Sequence, residues 1–75
     1  MKGGYTMLDK KSLAVLTYLE NHFSCSNEPI SSVNIHIKGL SIADINTSLK
    51  ILDEKGYIKI NDKYINKPVV GLNTI

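Results

Sequence analysis

The chain has 75 residues, 43% of them hydrophobic, with nine basic residues, all lysine, against seven acidic ones and a formal charge of +2. This length excludes a multidomain enzyme, because chains below about 80 residues rarely sustain two independent cores. The single Cys25 excludes an intramolecular disulfide, no run of about 18 apolar residues is present to span a bilayer, and the small positive surplus permits a polyanionic partner without requiring one. The expectation is a cytoplasmic protein with no membrane partner.

Residues 1–7, with Gly3-Gly4, read as a flexible N-terminal lead-in, so folded structure is expected from Leu8. Asp9 suits a helix N-cap, since its carboxylate can accept the unpaired N–H groups of a first turn, and Leu8 and Leu13 stand at the positions of a hydrophobic staple. This first helix is expected to reach about Phe23. Leu13, Val15, Leu16, Leu19 and Phe23 fall on its core side, with Thr17 and Asn21 opposite. Residues 24–29 then read as a loop, and Ile30 as a short strand.

Residues 31–38 fit two patterns. Val33, Ile35 and Ile37 alternate as in a strand, whereas Ile30, Val33, Ile37 and Leu40 recur at helical spacing. A helix is the expectation, because Gly39 stands where a left-handed residue commonly ends one. Ser41-Ile42-Ala43-Asp44 has the form of a capping box, with Leu40 and Ile45 as a second staple. The helix it starts carries Ile42, Ile45, Leu49 and Leu52 on one stripe, places Lys55 in its last turn against the dipole, and ends at Gly56.

Two β-prone runs follow, 57–60 and 63–66, separated by Asn61-Asp62, a pair that tolerates the positive φ of a tight hairpin. A two-residue loop would set Ile58 opposite Ile65 on the core face and Lys59 opposite Tyr64 on the outer face. Residues 67–75 are too apolar for an ordinary solvated end. They are expected either to complete the core or to contact a second copy, with Ile51, Val69, Val70 and Leu72 as the candidate dimer contacts.

The stretch from Gly39-Leu40-Ser41 through Leu49, Leu52, Lys55, Gly56 and Ile58 resembles the recognition-helix region of bacterial winged helix-turn-helix regulators. In that superfamily a "GLS" turn leads into a helix ending in "L..LE.KG.I" before the wing. The resemblance covers about 20 residues closely and residues 8–66 loosely. It implies an α+β fold, a three-helix winged helix-turn-helix with a small β-hairpin wing, and double-stranded DNA as partner. It further implies a transcriptional regulator, or an accessory factor at a replication or transfer origin, of bacterial, phage or plasmid type.

On that resemblance the third helix enters the major groove. Asn46 offers an amide to adenine, Thr47 a hydroxyl and methyl to thymine, and Lys50 a cation to guanine or phosphate. Ser41, Lys38, Lys59, Lys63, Tyr64 and Lys67 are the candidate backbone contacts, with Lys10 and Lys11 as further cations nearby. Residues 42–55 nevertheless sum to −1, from Lys50 and Lys55 against Asp44, Asp53 and Glu54. The missing arginines also remove the usual bidentate reader of guanine. The alternative is therefore a winged-helix module that binds another protein and no DNA. No enzyme, cofactor or metal is expected: His22 and His36 lack zinc-site spacing, Cys25 lacks an activating partner nearby in sequence, and Gly3-Gly4 follows no strand.

Overall fold

The computed structural model describes residues 8–73. The lead-in expected over 1–7 lies outside these residues, as does Ile75. Helix α1 spans Lys10–Cys25, and the Asp9 carboxylate accepts the Ser12 N–H at 2.8 Å, which fixes where the helix begins. Its buried side is Ser12, Val15, Leu16 and Leu19, while Thr17 and Asn21 face solvent. Phe23 is half-buried at the edge of the core. Of the two staple residues, Leu8 packs against the core, whereas Leu13 remains 40% exposed.

Beyond the loop, Ile30 forms an isolated antiparallel bridge with Val69, each N–H donating to the other's carbonyl at 3.0 and 2.8 Å. The helix expected over 31–38 does not form. Only a single 3₁₀ turn, Ser32–Asn34, is present, and it leads into extended backbone. The apolar residues of this segment do not share a face: Ile35 is 2% exposed, Val33 is 58% exposed, and Ser31 Oγ donates to Asn34 Oδ1 at 2.9 Å, closing the turn on itself. Gly39 does take a positive φ of 88°, as the third residue of a four-residue turn that the Leu40 N–H closes onto the Ile37 carbonyl. Its role is a turn glycine and not a helix terminator.

Helix α2 spans Ile42–Glu54 with both halves of the capping box made. The Asp44 N–H donates to Ser41 Oγ at 3.1 Å, and the Ser41 N–H donates to Asp44 Oδ2 at 3.2 Å. At the other end Gly56 (φ 81°) gives a Schellman closure, with the Tyr57 N–H on the Leu52 carbonyl and the Gly56 N–H on the Asp53 carbonyl. Lys55 is the C-cap residue itself, one position beyond the last turn. Ile45, Ser48, Leu49 and Leu52 are buried, but Ile42, expected on the same stripe, is 55% exposed.

Strands β1, Ile58–Ile60, and β2, Val69–Leu72, form an antiparallel pair with Ile58 opposite Leu72, Lys59 opposite Gly71 and Ile60 opposite Val69. The expected two-residue hairpin is therefore replaced by an eight-residue loop, 61–68. Ile65 does not face Ile58, and Tyr64 does not face Lys59. Two apolar candidates competed to cover Ile58 and α1, and the later segment won: Val69 is wholly buried, while Ile65 is fully exposed. The register jumps by one residue between Lys59 and Ile60, leaving Val70 without a direct counterpart.

The core gathers Val15, Leu16 and Leu19 of α1, Ile30, Ile35, then Ile45, Leu49 and Leu52 of α2, with Ile58 and Val69 from the sheet. Each fully buried aliphatic side chain contributes about 1.5–3 kcal/mol of transfer free energy. The chain is thus an α+β domain of two α-helices and a two-stranded antiparallel sheet.

Candidate nucleic-acid interface

The capping box and the Schellman closure hold α2 at both ends, and the Ile45, Leu49 and Leu52 stripe fixes its rotation against the core. The residues between those anchors then point outward. Ala43, Asn46, Thr47 and Lys50 are all exposed, so all three expected base-contact residues lie on the solvent side of the helix. Ser41 and Lys38 are exposed just before it. The Ser41 hydroxyl accepts the Asp44 N–H, which leaves its own proton free to donate.

Asp44 is held in place by more than its cap. The Lys11 ammonium donates to its Oδ1 at 3.1 Å, joining the first turn of α1 to the first turn of α2. The Ser41 N–H, and after it Lys11, hold the Asp44 carboxyl below the usual carboxylate range. The pairing neutralises the one acid in the N-terminal half of α2. Asp53 and Glu54 remain, at the other end of the helix. Sequence reasoning missed this pair, since its members are 33 positions apart and no local pattern links them.

Against the exposed side of α2 lies the 61–68 loop. Its ends are tied by the Asn61 N–H on the Pro68 carbonyl at 3.0 Å, and Asn61 Oδ1 accepts the Lys63 N–H at 3.0 Å. Between the helix and this loop runs an open groove of about 430 Å³, bordered by the polar residues Asn46, Lys50, Asp53, Glu54, Asp62 and Lys67, three acids against two lysines. It brings the expected base-contact residues Asn46 and Lys50 together with the expected backbone contact Lys67. Lys59, Lys63 and Tyr64 are exposed as well, Lys59 on β1 and the other two on the loop. Lys67 has a positive φ of 44°, a rare state for a side-chain-bearing residue, and its N–H closes a turn onto the Tyr64 carbonyl at 3.0 Å.

The four candidate dimer residues separate. Val69 is wholly buried within the single chain and belongs to its core, so it is not available to a second copy. Ile51 and Leu72 are half-buried, and Val70 is 37% exposed. His22 Nε2 lies 2.8 Å from the Glu28 carbonyl and its ring stands edge-on to Phe23, which gives it a structural setting. Cys25 is exposed, with the Ser24 hydroxyl 3.6 Å away. Among the described residues no group of three His, Cys, Asp or Glu could hold a metal ion, and no helix is long and apolar enough to cross a membrane.

The arrangement defines a small α+β domain in which the polar face of an amphipathic helix stands beside a lysine-bearing loop. No family model matches this chain, and no curated protein or solved structure matches it either.

Proposed function

We propose that this chain is a small winged-helix DNA-binding protein, acting as a transcriptional regulator or as an accessory factor at a replication or transfer origin. The observation that carries the reading is the shared groove: Asn46 and Lys50 of α2 border the same surface as Lys67 of the loop. A duplex docked on this face meets Asn46 and Lys50 from the helix and Lys67 from the loop, with Asp53 and Glu54 at the far end of the helix. In this reading α1 and α2 are the outer helices of the winged fold, the 3₁₀ turn Ser32–Asn34 stands where the middle helix is usual, and the 61–68 loop is the wing.

The N-terminal half of α2 carries the reading function, because the residues that reach base edges cluster there in helix-turn-helix docking. Neutralising Asp44 through Lys11 removes the charge that would repel phosphate at that end. Asn46 and Thr47 read bases, and Lys50 serves base or phosphate. Ser41, Lys38, Lys59, Lys63, Tyr64 and Lys67 position the backbone. The test is a mobility-shift assay in low salt with duplex DNA from upstream of the protein's own gene. Retention of the duplex supports the reading, and none retained even at low salt refutes it.

A second reading, a module that binds a protein, is favoured by a different surface. A cleft of about 340 Å³ is lined by Val33, Ile37, Leu40 and Ile42, with Val33 and Ile42 more than half exposed. Under that reading no duplex is retained, and Val33→Asp with Ile42→Asp abolishes capture of the partner.

A further inference from the structure

Ile65 is the most exposed large hydrophobic residue described, at 102% of its extended-chain reference, and its neighbour Tyr64 is 61% exposed. This exposure is built into the backbone. The Lys67 N–H donates to the Tyr64 carbonyl at 3.0 Å, so Ile65 and Asn66 are the corner residues of a four-residue turn at the apex of the wing. Lys67 leaves that turn with a positive φ, and the Asn61–Pro68 bond closes the loop behind it. A branched apolar side chain is thus displayed on a braced turn, with the exposed Lys63 and Lys67 two residues before and two after it in sequence.

An apolar tip between two cations matches a surface that is anionic at its edges and apolar between them. A DNA groove has this form, with phosphates along both walls and stacked bases between. The position of the tip also matters: Lys67, part of the same turn, borders the groove that Asn46 and Lys50 share. We propose that Ile65 is a wedge that enters the minor groove and partly unstacks one base step, bending the duplex while Lys63 and Lys67 hold the flanking phosphates. Flexible pyrimidine–purine steps, TA above all, are the substrate chemistry this favours, because they unstack at least cost. The inference rests on the DNA-binding reading and adds to it a deformation that backbone contact alone does not produce.

The test separates bending from binding. The probe is a short AT-rich duplex with 2-aminopurine at its TA steps and a donor–acceptor dye pair at its ends, titrated with the full chain in low salt. The wild-type protein raises 2-aminopurine fluorescence and shortens the end-to-end distance. Ile65→Ala and Ile65→Lys abolish both signals yet keep duplex affinity within about threefold, since burial of the apolar side chain and the cost of unstacking offset one another. Melting curves of the variants match wild type, because the side chain touches solvent only. Leu13→Ala, which trims an exposed apolar residue of α1, leaves both signals intact.

Binding by wild type with neither signal overturns the wedge and leaves the DNA-binding reading standing. Loss of both signals in Leu13→Ala also overturns the wedge. No binding of any duplex overturns both readings together. Ile65-dependent binding to phosphatidylserine vesicles, with no bending of DNA, overturns the wedge in favour of a lipid contact.

Discussion

The Lys11 ammonium and the Asp44 carboxylate meet at 3.1 Å, tying the start of α1 to the start of α2 across 33 positions of sequence. Both side chains are substantially open to solvent, at 54% and 32% exposure. Such a pair adds little to stability. Its consequence is electrostatic: the end of α2 that carries Ser41, Asn46 and Thr47 presents no uncompensated acid.

Lys11→Ala should therefore leave the melting temperature nearly unchanged and weaken duplex binding several-fold in low salt. Thermal denaturation and fluorescence anisotropy measured on the same sample check the two halves. A fall in stability with unchanged binding would assign the pair to the fold instead.

The capping box makes a pH-dependent contribution whose sign is fixed. The Ser41 N–H and Lys11 favour ionised Asp44 and lower its folded-state pKa. The resulting stabilisation is present above the unfolded carboxylate value of about 4 and is lost as the pH falls through the lowered folded value. Asp44→Asn should thus melt below wild type at neutral pH, and the two curves should converge as the pH is taken below the carboxylate range. Ser41→Ala, which removes the other half of the box, costs about 1 kcal/mol.

Gly56 adopts φ 81° with open space where a Cβ would stand, so its requirement is conformational and not steric against a neighbour. Gly56→Ala should destabilise the domain by about 1 kcal/mol through the left-handed backbone alone. Urea denaturation with an unchanged m-value is the check, since no compactness is lost.

If Lys38, Lys50, Lys59, Lys63 and Lys67 each neutralise a phosphate, these roughly five contacts give a log–log salt slope near −4 to −5. Lys63→Ala with Lys67→Ala should flatten it by about 2 and weaken binding alike for all sequences. Asn46→Ala should instead leave the slope alone and reduce discrimination between sites. Binding isotherms over a range of salt concentrations distinguish the two classes of residue.

The two helices were legible because their signals are local and agree. Asp9, the Ser41–Asp44 box and Gly56 mark their ends, and helical spacing marks the Leu16–Leu19 and Ile45–Leu49–Leu52 faces. The outward positions of Asn46, Thr47 and Lys50 follow from the same periodicity. Residues 31–38 were not legible, because strand and helix patterns overlap there and tertiary contact decided between them by burying Ile35 and releasing Val33. The expected hairpin over 57–66 failed for a related reason. Asn61-Asp62 is a sound turn signal, but the choice between Ile65 and Val69 as the residue facing the core depends on Ile30 and α1, far away in sequence. The exposure of Ile65 follows from that same choice. The apolar character of residues 67–75 was the available hint, and Val69 lies in the core.

The bridge between Ile30 and Val69 has a consequence for how the protein is made. Val69 pairs with Ile30 on one side and Ile60 on the other, and its strand packs against α1. The segment that pairs with both Ile30 and Ile60 therefore follows them in the sequence. A growing chain still held in the ribosome up to this point can form α1 and α2 as fluctuating helices, but Ile30 and Ile60 lack the strand that lies between them. Folding of this domain waits for residues 69–72 and then proceeds as one cooperative event, so the apolar faces of α1 and α2 stay uncovered until that segment has emerged.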